Sequence, residues 1–125
     1  PGRAALAARC VSAECEPRTV LITGCNSGIG LAAARRLAEG GHTLILACRS
    51  LDEAQAAKAN VAGLLPEGAD ANERLVPAEC DLSSLESVRA LATRARRDAW
   101  GLDVLALNAG AQFTGAPEPL FTQEG

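Results

Sequence analysis

Residues 19–30 read TVLITGCNSGIG, and this stretch decides the fold. Residues 19–23 form a short, apolar, β-branched run, which predicts a buried strand. A glycine-rich turn from Gly24 to Gly30 follows, and strong helix formers then continue to Glu39. Glycine permits positive φ and has no side chain, so the backbone N–H groups of such a turn can approach a pyrophosphate at the helix N-terminus. A strand, a glycine turn and a helix in this order are typical of a nucleotide phosphate site.

The alternation of strand and helix continues along the chain. Apolar runs predict further strands at residues 43–48, 75–80 and 102–107. Pro77 has no N–H group, which favours an edge position for the third strand. The order β-α-β-α-β-α-β predicts an α/β fold, the first half of a Rossmann-type doubly wound parallel sheet in three α/β/α layers. We expect the strand order 3-2-1-4, with a fourth strand that lacks a neighbour and makes the chain marginally stable alone.

The helix boundaries are predicted from capping residues and glycines. In the first helix, over residues 29–39, Ile29, Ala33 and Leu37 lie near one face, and a glycine pair follows. Capping boxes that begin at Ser50 and Ser83 predict the next two helices, the first of which extends to about residue 65. The stretch from there to residue 72 reads as a polar loop. The arginines of the last helix are expected to lie mostly on its outer face.

Composition limits the possible functions. The chain has 125 residues, 48% hydrophobic and 22% charged, with a formal net charge of -3. This length and balance predict one folded domain or a piece of a larger one, and they provide no basic surplus for nucleic acid or an acidic membrane. No apolar run reaches the ~20 residues that span a bilayer. Since the sequence has no Met, we expect a processed chain or a fragment, with residues 1–18 as a mobile leader or a transit-peptide remnant before the domain at 19–125.

The five cysteines have spacings that argue against a metal site. None forms a Cys-x-x-Cys pair, and His42, a predicted turn residue, is the single histidine. Three cysteines close or follow apolar runs, at Cys25, Cys48 and Cys80. They are predicted to be buried free thiols of an intracellular, reducing compartment, either the cytoplasm or a chloroplast.

Four motifs in order carry a family resemblance. The turn from Thr23 to Gly30 resembles the Thr-Gly-x-x-x-Gly-Ile-Gly signature of the short-chain dehydrogenases/reductases. Cys48-Arg49, Asp81-Leu82 and Asn108-Ala109-Gly110 match the family at the ends of the next three predicted strands. The resemblance covers residues 19–125. The stretches LILACRS, CDLSSLESVR and LDVLALNAG are similar to the retinol-dehydrogenase and protochlorophyllide-reductase branch, and EPLFTQEG resembles the latter.

This resemblance implies a dinucleotide site. Its residues would be Thr23, Gly24, Asn26, Ser27, Gly28, Ile29, Gly30, Arg49, Asp81, Leu82, Asn108, Ala109 and Gly110. Cys48 and Arg49 stand where NAD enzymes carry an acid, and the guanidinium fork suits a 2′-phosphate, so NADP is expected rather than NAD. Asp81 would receive the adenine amino group, cap the following helix, or do both. Phe113 and Phe121 either cover the cofactor cleft or mark a partner surface.

The family's catalytic residues are a Tyr and a Lys four positions later. The chain contains no Tyr, and Lys58 comes too early, so these residues are expected after Gly125 and none is assigned here. The resemblance predicts the cofactor half of an NADP-dependent oxidoreductase. Its small-molecule substrate, lipophilic in one reading, would be a carbonyl, an alcohol or a protochlorophyllide-like double bond. The alternative is a non-catalytic nucleotide-binding or scaffold subunit, and either protein would form an oligomer or a larger assembly.

Overall fold

A computed structural model describes residues 16–112, 115, 117–122 and 124–125. The elements in chain order are β1 (Thr19–Thr23), α1 (Gly28–Glu39), β2 (Thr43–Cys48), α2 (Leu51–Ala62), α3 (Ala71–Arg74), β3 (Leu75–Glu79), α4 (Leu85–Arg97) and β4 (Val104–Ala106). The strands form one parallel sheet in the order β3-β2-β1-β4. The predicted Rossmann-type fold and strand order are confirmed, and β3, which contains Pro77, lies at an edge.

Helices cover both faces of the sheet, as a parallel sheet requires. On one face, Val20, Ile22 and Leu44 pack in a core cluster with Ala34 of α1 and Val61 of α2. The opposite face carries a second, smaller cluster, which α4 and Trp100 cover. Its members are Leu21, Ile45, Ala47, Ala78 and Cys80, with Val76, Val88, Leu91 and Trp100 packed against them. The apolar runs of the sequence are continuous because both sides of each central strand are buried.

The residues that α1 buries most deeply each lie one position after those of the predicted apolar face. The helix begins at Gly28 and buries Gly30, Ala34 and Ala38, whereas Ile29 is 82% exposed. Ile29 therefore faces solvent, while Ala33 and Leu37, predicted to lie near the same face, pack against the core. The reason is the contact that Gly30 makes with the preceding turn, because it fixes the rotation of the helix about its axis.

The second and third helices begin and end at residues that local hydrogen bonds select. In α2 the capping box is present as predicted, with Ser50 Oγ accepting from Glu53 N, but the helix ends at Ala62 rather than near residue 65. The stretch predicted as a polar loop contains α3, a single turn, because the Asp70 side chain accepts from Asn72 N and caps it.

The last helix is capped by Ser84, and the prediction of Ser83 was wrong. Ser84 Oγ accepts from Ser87 N at 3.3 Å, whereas Ser83 Oγ donates to Asp81 Oδ1 at 2.7 Å. Arg94 also departs from the expected outer face of α4. Its guanidinium donates to the Pro77 carbonyl oxygen at 3.2 Å and lies 5.1 Å from the centre of the Trp100 ring.

Two strands are shorter than their apolar runs, since β3 ends at Glu79 and β4 spans three residues. His42 lies in the turn after α1 as predicted, and its Nδ1 accepts from Arg18 N.

The predicted leader lies largely outside the described residues, as do Cys10, Cys15 and Phe113. Within the described ranges, none of the helices combines the length and the hydropathy needed to cross a membrane.

Candidate functional site

The carboxyl ends of β1 and β2 meet at the glycine turn. Gly24 has φ +65°, and its N–H donates to the Ala47 carbonyl oxygen at 2.9 Å. A Cβ atom at Gly24 would lie 2.9 Å from the Cα atom of Ala109. Both the positive φ and this close approach exclude a side chain. The turn is thus held against the ends of β2 and β4.

Gly30 allows α1 to begin directly against the turn. A Cβ atom at this position would overlap the carbonyl oxygen of Gly24 and would lie 2.5 Å from Nδ2 of Asn108. The Asn108 amide donates in turn to that carbonyl oxygen at 3.2 Å. The last glycine of the motif is therefore a packing requirement, which places the first turn of α1 beside the ends of β1 and β4.

The N-terminus of α1 is not neutralised by its own sequence. Its first turn contains no acidic residue, and Ser27 at the N-cap makes no side-chain capping bond. The first turn of α2, in contrast, contains Asp52 and Glu53, and that of α4 contains Glu86. The partial positive charge at a helix N-terminus attracts anions. Of these three helices, α1 is the one that best suits an external anion.

The opposite wall of the site is formed by the residues that follow β2 and β3. Asp81 follows β3, and its Oδ1 accepts from both the backbone N and the Oγ of Ser83, at 2.9 and 2.7 Å. These bonds lower the pKa of Asp81, and the charge of nearby Arg49 lowers it further. Asp81 is therefore a carboxylate at neutral pH. It turns the chain toward α4, while Ser84 supplies the cap of that helix.

An open cavity of about 480 Å³ lies between these two walls. Its volume is in the range of small-molecule sites. Eight of the predicted residues line it, namely Thr23, Gly24, Asn26, Arg49, Asp81, Leu82, Ala109 and Gly110. The other five, Ser27, Gly28, Ile29, Gly30 and Asn108, are outside the lining and belong to the first turn of α1 or support the glycine turn.

Six lining residues were missed, which are Ala47, Glu53, Cys80, Ser83, Ala111 and Thr122. Ala47, Cys80 and Ser83 adjoin the predicted strand-end motifs, so their positions were a usable signal. Glu53 was recognised only for its capping box. Thr122 reaches the cavity because the terminal segment folds back, with Glu124 Oε1 accepting from Leu85 N at 2.7 Å. Phe121, on that segment, is exposed.

Comparison with known proteins identifies the family. The model of the short chain dehydrogenase family matches residues 18–123. The chain belongs to the short-chain dehydrogenase family. Chloroplastic protochlorophyllide reductase from Pisum sativum is 46% identical over 108 residues, which cover 85% of this chain and 25% of that protein. This short-chain dehydrogenase chain thus spans about a quarter of the length of that curated relative.

Solved structures of the short-chain dehydrogenase family share the fold. Menthone neomenthol reductase from Mentha piperita has a TM-score of 0.68 and 30% identity, covering 78% of this chain and 33% of the other. L-sorbose reductase from Gluconobacter frateurii, complexed with NADPH and L-sorbose, has a TM-score of 0.66 and 28% identity, covering 81% and 36%. The family resemblance carried by the four motifs is confirmed.

Proposed function

We propose that this chain forms the NADP(H)-binding part of an oxidoreductase. The observation that carries the proposal is the position of two positive groups around one cavity. The acid-free N-terminus of α1 lies at the glycine turn, and Arg49 lies on the cavity wall after β2. Two separated anionic groups, a pyrophosphate and a 2′-phosphate, match such an arrangement.

The glycine turn would hold the pyrophosphate. Gly24 and Gly30 lack side chains where the backbone segments approach most closely, so the amides at the start of α1 stay accessible. Asn26 and Ser27 are exposed beside them and offer further hydrogen-bond donors. Ala109 and Gly110, small residues on the cavity wall, leave room for the adenosine.

The adenine and its ribose would lie between Arg49 and Asp81. The guanidinium of Arg49 suits a 2′-phosphate, since Cys48 and Arg49 stand at the end of β2, where NAD enzymes carry an acid that would repel it. One oxygen of Asp81 is used by Ser83, which leaves the other to accept from the adenine amino group. Leu82 lines the cavity next to Asp81 and offers an apolar contact to the ring.

Bound NADPH supplies the hydride. Residues of this chain orient the dinucleotide, and we place the catalytic Tyr and Lys of the family beyond Gly125 in the gene product. The curated relatives named as protochlorophyllide reductases support a lipophilic substrate with a reducible ring double bond, alongside a carbonyl or an alcohol. Their chloroplastic designation and the buried free thiols of this chain support a reducing compartment, the chloroplast first.

The test uses the full-length gene product and isothermal titration with NADPH. Ile29→Glu places a carboxylate in the first turn of α1 at an exposed position, where the fold tolerates it. Repulsion of the pyrophosphate should weaken NADPH binding about tenfold, which corresponds to ~1.4 kcal/mol. Ala32→Glu is the matched control, because Ala32 is exposed on the same helix one turn farther on.

Saturable NADPH binding that Ile29→Glu weakens and Ala32→Glu leaves unchanged supports the proposal. Absence of dinucleotide binding by the wild-type protein overturns it. Binding without NADPH oxidation in the presence of either protochlorophyllide or a carbonyl panel would instead favour the non-catalytic nucleotide-binding subunit.

A further inference from the structure

Two thiols lie in contact beneath the glycine turn. Cys25 Sγ and Cys48 Sγ are 3.6 Å apart, both residues are buried, and neither is in a disulfide. Cys25 is the residue after Gly24 in the turn, and Cys48 is the residue before Arg49 at the end of β2. The pair therefore joins the two segments that would hold the two phosphate groups of the dinucleotide.

Cys80, the third buried thiol in the described part of the chain, stands apart from this pair. Cys25 and Cys48 belong to the core cluster under α1 and α2, whereas Cys80 belongs to the cluster on the opposite face of the sheet. The link between them is a backbone bond, in which Cys80 N donates to the Cys48 carbonyl oxygen at 2.7 Å. Cys80 is thus a matched control for a buried thiol at the same edge of the sheet.

We propose that Cys25 and Cys48 form a reversible thiol–disulfide switch that controls the nucleotide-binding turn. The effect on binding rests on the proposed function, whereas bond formation itself does not. The reaction takes hydrogen peroxide as the oxidant. One thiol, as its thiolate, attacks a peroxide oxygen to give a sulfenic acid and releases one water. The second thiol then attacks that sulfur, which forms the S–S bond and releases a second water. Two thiols are oxidised, and one peroxide is reduced to two waters.

Bond formation shortens the contact between the two sulfur atoms. An S–S bond is about 2.05 Å long, so the two sulfur atoms have to approach by about 1.5 Å from their present contact. The turn and β2 are already joined by the Gly24 N–H bond to Ala47, which leaves little slack between them. Any part of this approach that rotation of the two side chains does not supply would displace Asn26 on one side and Arg49 on the other, and hydrogen bonds to a phosphate weaken as they lengthen.

The reduced pair is stable in the resting fold. Burial raises the pKa of both thiols, so they are protonated and react slowly while the turn is closed. Oxidation then requires the turn to open, and a dinucleotide seated on the turn should slow it. The switch therefore responds to sustained exposure to oxidant while the nucleotide site is empty. Brief exposure should leave the thiols reduced.

The experiment treats the reduced full-length gene product with hydrogen peroxide, blocks the remaining thiols with iodoacetamide and digests it with trypsin. Cleavage after arginine places Cys25 in a peptide of residues 19–35 and Cys48 in a peptide of residues 37–49. We expect these two peptides to appear linked and to separate with dithiothreitol. NADPH affinity should fall about tenfold on oxidation, the equivalent of one lost charge-assisted bond, and should recover on reduction.

Variants assign the effect to the pair. Cys25→Ser and Cys48→Ala should each abolish the linked peptide and the peroxide effect on NADPH affinity, and Cys80→Ala should preserve the linked peptide. Failure to link the two peptides in the folded wild-type protein overturns the switch, as does a linked protein with unchanged NADPH affinity. If the reduced protein binds no dinucleotide, the proposed function fails separately. Amide hydrogen exchange of residues 19–35 then decides the switch, which is overturned if oxidation leaves that exchange unchanged.

Discussion

The side chains of Asn108 and Thr23 each form a hydrogen bond with the backbone of the other residue. Asn108 Nδ2 donates to the Thr23 carbonyl oxygen at 3.1 Å, and Asn108 N donates to Thr23 Oγ1 at 3.1 Å. Thr23 Oγ1 also accepts from Ala109 N at 3.0 Å. These bonds join the carboxyl ends of β1 and β4 beyond Ala106, where the pairing of the two strands has ended. The glycine turn begins one residue later, so its position depends on this pair.

Replacement of Asn108 by Ala should loosen the turn. The carbonyl oxygens of Thr23 and Gly24 each lose a donor, which should lower the free energy of unfolding by about 1–2 kcal/mol. NADPH affinity should fall as well, because the turn is less firmly held. Urea unfolding and NADPH titration of the full-length gene product measure the two effects. Asn60→Ala, at an exposed position of α2, is the control. Unchanged values for Asn108→Ala in both measurements would contradict the role assigned to this side chain.

A methyl group at Gly30 should be poorly tolerated. Gly30→Ala directs a Cβ atom at the backbone oxygen of Gly24 and at Asn108 Nδ2, so we expect a loss of about 1–3 kcal/mol in the free energy of unfolding. Gly63→Ala is the matched control, because its Cβ atom would meet open space and its φ of −72° suits alanine. The control should be neutral or slightly stabilising. Equal thermal unfolding of the two variants would refute the packing requirement at Gly30.

Arg49 should determine the preference between the two dinucleotides. Arg49→Asp replaces a partner of the 2′-phosphate by a repelling charge, so NADPH affinity should fall about 10–100-fold while NADH binding is retained or improved. Parallel titrations with NADPH and NADH give the ratio. Arg96→Asp, an equal charge change on the exposed side of α4 and outside the cavity lining, should leave the ratio unchanged. A wild-type ratio in Arg49→Asp would sink the assignment.

Ionisation of Asp81 should make the stability of the fold depend on pH in the acid range. Because Ser83 lowers the folded-state pKa of Asp81 below its ordinary value of about 3.9, the carboxylate stabilises the fold above that value. The contribution disappears as the pH falls through the lower folded-state pKa. Ser83→Ala removes one donor, so the pKa of Asp81 should rise and acid unfolding should begin at higher pH. Circular dichroism during acid titration measures this shift, with Ser27→Ala as the control. An identical acid transition in Ser83→Ala would count against it.

The sequence predicted the strands and the glycine turn because their signals are local. Continuous apolar runs mark strands that are buried on both faces, and the absent N–H of Pro77 was sufficient to place β3 at an edge. The cap of α4 was not predictable in this way. Ser83 and Ser84 are neighbouring serines, and the choice depends on where the helix begins, since Ser84 directly precedes Leu85, the first residue of α4.

Tertiary contacts also explain the other differences from the sequence. The periodicity of α1 gives an apolar stripe, but the contact of Gly30 with the turn sets its rotation and leaves Ile29 outside. Thr122 lines the cavity only because the terminal segment returns to α4 through Glu124. No local pattern around Thr122 indicates this return, since it depends on a residue that is distant in sequence.

The last prediction concerns the edge strand β4. Leu105 is 58% exposed and pairs with Leu21, so its side chain faces the side of the sheet that α4 covers in part. The solved structure from Mentha piperita is about three times as long as the matched part of this chain, and we predict that further chain covers Leu105 in the gene product. Leu105→Lys should then benefit the short chain and harm the full-length gene product. In residues 1–125 expressed alone, it should reduce self-association, because charge protects an open sheet edge.

In the full-length gene product, the same substitution should lower the free energy of unfolding by about 3 kcal/mol, because it buries an unpaired charge. Sedimentation of the short chain and urea unfolding of the full-length product measure the two effects. Ala90→Lys, on the exposed side of α4, should change neither. A full-length product that tolerates Leu105→Lys as well as Ala90→Lys would mean that this face of β4 stays exposed to solvent, and the predicted cover over Leu105 would be wrong.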